Sequence, residues 1–213
     1  MQQQQPKQYF RLSSLASRSL LFFLAFSVAI HAADGVAHPP TVGSKAPDFQ
    51  LQDAVSGKKV RLSEVSGPVV LVVLRGYPGY QCPFCNRQVQ DFLQKSSGFA
   101  AKGAHVVLVY PGPSSVSEKT LSMIAGEFLA GKTLPEGFQM LLDPDYAFTN
   151  QYGLRWEGSM ETAYPSVFLL DRNGEVFFSR IVKSHGGRVA AQEIVDLLPS
   201  PRKPAGANGR QQP

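Results

Sequence analysis

The two cysteines of the chain lie close together, in the segment Cys82-Pro83-Phe84-Cys85. Two intervening residues allow the sulfurs to meet within one turn and to form a disulfide reversibly. The segment follows the apolar run Val69–Leu74 and precedes Val89, Phe92 and Leu93, which are spaced for one face of a helix. A helix N-terminus stabilises a thiolate, the reactive form of cysteine, through its unpaired N–H groups and its dipole. The pattern therefore predicts a redox-active pair.

Residues around the pair are expected to support it. Pro83 fits the first helical turn, where a missing N–H costs nothing, and Pro83 and Phe84 are expected to tune the redox potential. Tyr77 and Tyr80 flank the segment and Trp156 follows later, so each either lines the site or packs in a loop. No organic cofactor is implied, because the electrons can travel through the two sulfurs.

Two other uses of a lone CxxC stay open. Zinc needs four ligands, but the chain has no second cysteine pair, and His38, His105 and His185 show no ligand spacing. An inert structural disulfide is disfavoured because so small a loop adds little loop-closure entropy. A redox centre is the favoured interpretation.

Strands and helices are predicted to alternate around this pair. The sequence predicts strands or helices over these segments: a hairpin of Phe49–Leu51 and Lys59–Leu62, strand Val69–Leu74, a helix after Cys85, strand His105–Tyr110, a helix through Leu121, Ile124 and Phe128, a short strand Phe138–Leu142, a short helix Tyr146–Tyr152, a hairpin of Ser166–Leu170 and Glu175–Ile181, and a last helix through Ile194. This order predicts an α/β fold with a mixed central β-sheet, helices on both faces and an N-terminal β-hairpin.

The distribution of charge argues against nucleic acid as a partner. The net charge is +5, but residues 1–32 and 201–213 each carry three basic residues and no acidic one. Residues 33–200 hold 15 basic and 16 acidic residues, a net of −1. The expected folded part thus has no excess charge with which to bind a polyanion.

The N-terminus resembles a targeting segment. A basic stretch leads into the apolar run Leu20–Ile30 and then to the small residues Ala32 and Ala33, the pattern of a secretory signal peptide. The run is short for a membrane span, although an uncleaved signal anchor stays open. We expect a signal peptide at 1–32, a linker at 33–40, one domain at 41–198 and a disordered tail at 199–213. The protein is expected to be exported and, once processed, to have no stable membrane insertion.

Three stretches resemble the AhpC/TSA, or redoxin, family of peroxiredoxins and their relatives. They are Val42–Phe49, the run Leu74-Arg75-Gly76-Tyr77-Pro78 before the cysteines, and the late strand and turn Leu169–Gly174. The resemblance covers about residues 41–198 and implies a thioredoxin-like fold.

The differences from the family pattern bear on the activity. Pro78 falls on the family's proline and Cys85 on its peroxidatic cysteine, but Cys82 falls where a Thr or Ser belongs and Pro165 where a late Arg belongs. The chain therefore resembles a peroxiredoxin-like group with a thioredoxin-type CxxC. Arg75 is a candidate for the role of the lost arginine, although a solvated arginine at a strand end is slightly favoured.

Tyr164-Pro165 precedes the strand Val167–Leu170. In a thioredoxin-like fold, a cis-proline at this point faces the cysteines and presents backbone to a bound partner. We therefore expect a cis bond at Pro165, although a trans proline at a strand start is the commoner arrangement.

Two mechanisms are compatible with the sequence. In thiol peroxidase chemistry, Cys85 attacks a hydroperoxide, Cys82 resolves the sulfenic acid as a Cys82–Cys85 disulfide, and a thioredoxin-like thiol reductant restores the dithiol. In disulfide exchange, Cys82, expected to be the more exposed cysteine, attacks a protein disulfide and Cys85 releases the product. A binding protein with a purely structural disulfide is the third possibility.

Overall fold

The computed structural model describes residues 37–77, 80–113 and 115–201. The predicted signal peptide, half of the predicted linker and most of the predicted tail lie outside these residues.

The described residues form nine strands and five α-helices. The strands are β1 (Gln50–Asp53), β2 (Lys59–Arg61), β3 (Val69–Val73), β4 (Gly76–Tyr77), β5 (Tyr80–Gln81), β6 (His105–Gly112), β7 (Phe138–Pro144), β8 (Ser166–Leu170) and β9 (Val176–Ile181). The helices are α1 (Pro83–Gln94), α2 (Ser96–Ala101), α3 (Glu118–Glu127), α4 (Ala147–Gln151) and α5 (Ala191–Leu197).

Seven strands form one mixed sheet in the order β2-β1-β7-β6-β3-β8-β9, while β4 and β5 pair separately. The central strands β3, β6 and β7 are parallel, and β8 and β9 close one side as an antiparallel hairpin. The N-terminal hairpin β1–β2 joins the other side through β7. The mixed sheet and the N-terminal hairpin predicted from the sequence are confirmed.

The core lies in two layers, one on each face of the sheet. Successive residues of a strand point to opposite faces, so Val70 and Val72 join one layer while Leu71 and Val73 join the other. Helices α1, α2, α3 and α5 cover the first layer, and α4 with β1 covers the second. Both layers need apolar side chains, which is why β3 is a continuous run of buried Val and Leu.

Three elements were not predicted. Helix α2 has the sequence Ser-Ser-Gly-Phe-Ala-Ala, whose serines and glycine are poor helix formers. Strands β4 and β5 have two residues each, too short to show a period. Apart from these, the predicted strands and helices are present, with boundaries shifted by a few residues.

The prediction of a cis bond at Pro165 is wrong. None of the peptide bonds of the described residues is cis. Pro165 is a trans proline directly before β8, the isomer that X–Pro bonds favour by about 0.5–1 kcal/mol.

The end of the predicted linker contacts the domain. Pro40 is buried, and the carbonyl of Ala37 lies against Gly153, leaving no room for a Cβ there. Within the described ranges, no helix combines the length and apolar character needed to cross a membrane.

Candidate active site

The two cysteines begin helix α1. Cys82 is the N-cap residue with extended backbone, and its carbonyl accepts the N–H of Asn86 at 3.0 Å. Pro83 starts the first turn, as predicted, and Cys85 lies within that turn. Both cysteines are free thiols. Cys82 was expected to be the more exposed cysteine, and the difference is very small, because both residues belong to the first core layer and are 1% and 0% exposed.

Nitrogen donors from two distant segments meet the sulfurs. The backbone N–H of Arg75 donates to Sγ of Cys85 at 3.3 Å. The guanidinium of Arg188 places Nη2 at 3.3 Å from Sγ of Cys85 and 3.8 Å from Sγ of Cys82. Positive N–H donors favour the thiolate form of the sulfur they contact, whereas burial opposes it.

The pair shares one negative charge unequally. A hydrogen bond from the Cys85 thiol, helped by the backbone N–H groups of Cys85 and Phe84 and by Arg75, lowers the pKa of Cys82 from 9.0 to about 4 despite its burial. The same contact with Cys82, together with burial, raises the pKa of Cys85 well above its ordinary value, although Arg188 opposes this. These opposite directions favour Cys82, the N-cap residue, as the site of the first thiolate.

Arg75 is buried, and the favoured expectation of a solvated arginine is wrong. Only 5% of the residue is exposed. Its Nε and Nη2 bind the carboxylate of Glu161, and Nη2 also donates to the carbonyl of Met160 at 3.2 Å. The segment around Glu161 covers the end of β3, and so keeps the Arg75 guanidinium away from solvent.

Glu161 connects this arginine to the loop after β9. Its Oε1 lies 2.8 Å from Nε2 of His185. Partial burial acts to raise the pKa of Glu161, but the contacts with Arg75 and His185 leave that pKa below its ordinary value. Glu161 is thus an ionised carboxylate between two segments that border the cysteines.

An aromatic group lies beside these charges. The ring of Trp156 stacks on that of Tyr164, with 5.0 Å between centroids, and lies 5.2 Å from the ring of His185. The Arg75 guanidinium is 5.9 Å from the Trp156 ring. Trp156 therefore packs beside the site, which was one of its two expected positions.

The remaining predicted site residues are distributed as follows. Phe84 is 36% exposed, with the guanidinium of Arg87 4.6 Å from its ring centroid. Pro165 borders a small cavity together with Gln88 and Arg188. Pro78 lies outside the described residues, and the side chains of Tyr77 and Tyr80 are likewise not described.

Sequence reasoning missed Arg188. It lies in the segment Gly186-Gly187-Arg188, which has no motif, and it reaches the cysteines only because the chain returns past α1 before α5. The sole signal was a basic residue among glycines in a loop, which is too common to single out. Glu161 and His185 were also missed, because neither lies in a recognisable motif.

The chain is similar in sequence to several known proteins. The profile of the AhpC/TSA family matches residues 42–179. The chloroplastic peroxiredoxin Q of Sedum lineare is 31% identical over 136 residues, which cover 64% of this chain and 66% of that protein. The chloroplastic peroxiredoxin Q of Oryza sativa subsp. japonica is 30% identical over 134 residues, which cover 63% of this chain and 56% of that protein. The match thus spans about two thirds of the length of the Sedum lineare protein and just over half of the length of the Oryza sativa protein.

Solved structures of similar fold include a peroxiredoxin-like protein from Aquifex aeolicus, with a TM-score of 0.58 and 18% identity over 76% of this chain and 87% of that one. Peroxidoxin BcpB from Mycobacterium tuberculosis gives a TM-score of 0.55 and 21% identity over 75% and 96% of the two chains. At these identities the likeness bears on the fold, which is the thioredoxin-like α/β fold that the sequence resemblance implied.

Proposed function

Since the chain belongs to the AhpC/TSA family, we propose that it is a thiol-dependent peroxidase that reduces hydroperoxides with Cys82 and Cys85. The observation that carries the proposal is the contact of two free thiols with each other and with the Arg188 guanidinium at the start of α1. The relatives named peroxiredoxin Q support the same chemistry.

The reaction needs only the two sulfurs and a thiol reductant. A thiolate attacks one oxygen of the hydroperoxide, so that an S–O bond forms, the O–O bond breaks, and the departing alkoxide takes a proton to become an alcohol. The second cysteine then attacks the sulfenic acid, forms the Cys82–Cys85 disulfide and releases water. A thioredoxin-like dithiol protein reduces this disulfide by exchange and becomes oxidised itself.

We assign the first attack to Cys82. The resemblance to the family favoured Cys85, but the lowered pKa of Cys82 and the raised pKa of Cys85 favour the opposite order. The N-cap position supports this order, since the positive end of the α1 dipole lies there and the backbone N–H groups of Cys85 and Phe84 contribute to the lowered pKa of Cys82.

Stopped-flow oxidation of the reduced protein by hydrogen peroxide tests both statements. We expect fast, stoichiometric thiol loss in the wild type. Cys82→Ser should abolish the fast reaction, whereas Cys85→Ser should still react once and stop at a sulfenic acid that dimedone traps. Fast peroxide consumption by Cys82→Ser, lost in Cys85→Ser, would restore Cys85 as the attacking residue. A wild-type rate no faster than that of a free thiol would exclude the peroxidase.

Disulfide exchange is the second candidate, and one observation favours it specifically. A lowered pKa at the first cysteine of a CxxC with a raised pKa at the second suits attack on a partner's disulfide followed by release. Under this alternative, Cys85→Ser accumulates a mixed disulfide with a protein substrate, and the wild-type rate with that substrate exceeds its rate with peroxide.

We propose in addition that residues 1–32 direct export, on the basis of the basic stretch, the apolar run Leu20–Ile30 and the small residues after it. In an oxidising compartment the pair would need a dedicated reductant to stay active. Cell fractionation, with and without residues 1–32, tests this, and equal distribution of the two forms would contradict it.

A further inference from the structure

The cysteine pair is closed off from solvent, although the proposed reaction requires two different molecules to reach it. Cys82 and Cys85 are 1% and 0% exposed. A hydroperoxide has to reach one sulfur, and a dithiol protein has to reach the disulfide that forms afterwards. Because a protein cannot approach sulfurs that are buried to this degree, part of what covers the pair has to move.

Residues 183–188, here called the cover loop, lie on one side of the cysteine pair. The loop follows β9 and leads toward α5. It lies against the CxxC segment, since the ring of Phe84 is 3.9 Å from the position that a Cβ on Gly186 would take. Its Arg188 places Nη2 in contact with both sulfurs. The cover loop therefore borders both the sulfurs and the exposed residue between them.

Side chains rather than backbone hold the cover loop in this position. Among the described residues, no backbone-to-backbone hydrogen bond involves residues 183–188. A segment without such bonds opens at a lower free-energy cost than a strand or a helix does. The position of the loop thus depends on the few side chains that connect it to the rest of the domain.

His185 connects the cover loop to the opposite side of the site. Its Nε2 lies 2.8 Å from Oε1 of Glu161, and its ring lies 5.2 Å from that of Trp156. The pKa of Glu161 is below its ordinary value, so the carboxylate is an acceptor and Nε2 of His185 is the donor. The buried guanidinium of Arg75 fixes this carboxylate. His185 therefore binds the loop to an acceptor that is itself held in place.

The other side-chain contact between the loop and this side of the site is weaker. Nζ of Lys183 lies 6.0 Å from the centroid of the Tyr164 ring, at the outer limit for a cation–π interaction. A hydrogen bond to a charged carboxylate is stronger than such a contact at an exposed position. The bond between His185 and Glu161 is therefore the one whose loss should release the loop.

We propose that His185 is a specificity-determining residue of the proposed peroxidase, whose hydrogen bond to Glu161 keeps the cover loop closed over the cysteine pair, so that a small hydroperoxide is admitted and a bulky disulfide is excluded. The inference rests on the proposed function. Peroxide reduction and disulfide exchange differ in the size of the molecule that has to reach the first sulfur. A closed loop thus gives a steric reason for the first reaction to prevail, and the dithiol reductant gains access only when the bond breaks.

Two neutral reagents with the same reactive group and different size test the proposal on the reduced protein. They are N-ethylmaleimide, which is small, and N-pyrenylmaleimide, which is bulky. The ratio of the bulky to the small rate reports access to the sulfurs, because a change in the thiolate population affects both rates equally. Glutathione, a thiol free in solution, gives the reference ratio.

Three variants complete the test. His185→Ala removes the contact with Glu161, and His185→Gln keeps a side-chain N–H in the place of Nε2. His105→Ala is the matched control, because His105 begins β6 and pairs with Val69 at the first residue of β3, whereas the cysteines follow the far end of that strand. His185 is exposed, so its replacement leaves no cavity in the core.

We expect His185→Ala to raise the bulky-to-small ratio about 10-fold and His185→Gln to stay within about 3-fold of the wild type, since a hydrogen bond to a charged group shifts an opening equilibrium by about the first of these factors. An unchanged ratio in His185→Ala, or an equal rise in His105→Ala, would overturn the role of His185. A wild-type ratio equal to that of glutathione would also overturn it, because the loop would then not restrict access. The peroxidase is tested separately, since a wild type that hydrogen peroxide oxidises no faster than a free thiol would overturn that function while the change in ratio persists.

Discussion

At the scale of single residues, the site places two thiols near two guanidinium groups that differ in their surroundings. Arg75 is fixed by the Glu161 carboxylate and lends its backbone N–H to Cys85, whereas Arg188 contacts both sulfurs directly. Both arginines therefore act on the cysteine pair, since Arg75 also helps to lower the pKa of Cys82, but only the Arg75 guanidinium is held by a carboxylate.

The low pKa of Cys82 makes the stability of the reduced protein depend on pH. The Cys82 thiol has a pKa of about 4 in the folded protein and 9.0 as its ordinary value, so between these values the unfolded chain binds the additional proton. The contribution of Cys82 to the free energy of unfolding is therefore fully present above about pH 9 and is lost as the pH falls toward 4. Thermal melts with a reductant should show a wild type whose advantage over Cys82→Ser is larger at pH 8 than at pH 5. Parallel pH profiles of the two proteins would contradict the assignment.

The buried ion pair is expected to matter more than a surface pair. The side chains of Arg75 and Glu161 are 6% and 15% exposed, whereas those of Arg180 and Glu193 are 52% and 49% exposed. Glu161→Gln leaves a buried cation without its carboxylate and should cost about 3 kcal/mol, while the control Glu193→Gln should cost less than about 1 kcal/mol. Urea unfolding measures both. An equal loss of unfolding free energy in the two variants would show that solvent screens the Arg75–Glu161 pair as strongly as the surface pair.

At the scale of elements, helix α1 organises the site. Its first turn contains the cysteines, and its second and third turns hold the chain beside Arg188 through Gln88 and Asp91. The chain after β9 is held at His185 by Glu161 and, beyond Arg188, by this helix. The site thus depends on the packing of α1 against the returning chain.

The end of helix α4 gives a test of backbone conformation. Gly153 has φ +59°, and an added Cβ would lie 2.2 Å from the carbonyl oxygen of Ala37. Gly153→Ala should therefore lower the free energy of unfolding by about 1–3 kcal/mol. The matched control is Gly126→Ala in helix α3, where nothing lies within 4 Å of the added Cβ and alanine should stabilise by about 0.5–1 kcal/mol. A Gly153→Ala protein as stable as the wild type would mean that the segment at Ala37 is not held there.

At the scale of the whole molecule, the first core layer connects the site to the fold. Cys82 and Cys85 belong to the same buried cluster as Phe92, Phe99 and Phe138. The Phe99 ring lies 5.2 Å from that of Phe92 and 5.8 Å from that of Phe138, between α1, α2 and the sheet. Two sulfurs in a close-packed layer have little freedom to move, which suits the disulfide that we propose between them.

Shortening a side chain in this core layer should lower the free energy of unfolding. Phe99 is fully buried, so Phe99→Ala should destabilise the protein by about 3–5 kcal/mol, a large part of the stability of one domain. Val42→Ala is the control, because Val42 is 62% exposed and should change the free energy by less than about 0.5 kcal/mol. Denaturant titration gives both values, and a cost near 1 kcal/mol for Phe99→Ala would imply that the layer collapses into the space.

The sequence by itself determined most of the elements and the place of the cysteine pair among them. The unbroken apolar runs of β3 and β6 predicted strands buried on both faces, and the CxxC before an amphipathic run predicted cysteines at a helix start. Such features depend on residues close in sequence, where periodicity and capping preferences act directly.

Only the tertiary structure decided which charges meet the sulfurs. Arg188 lies 103 residues after Cys85, and Glu161 lies 86 residues after Arg75, so no local pattern links them. The same holds for the burial of Arg75, the trans bond at Pro165 and the order in which the two thiols ionise. Each depends on which segments the sheet and α1 bring together, and on the low local dielectric that their packing produces.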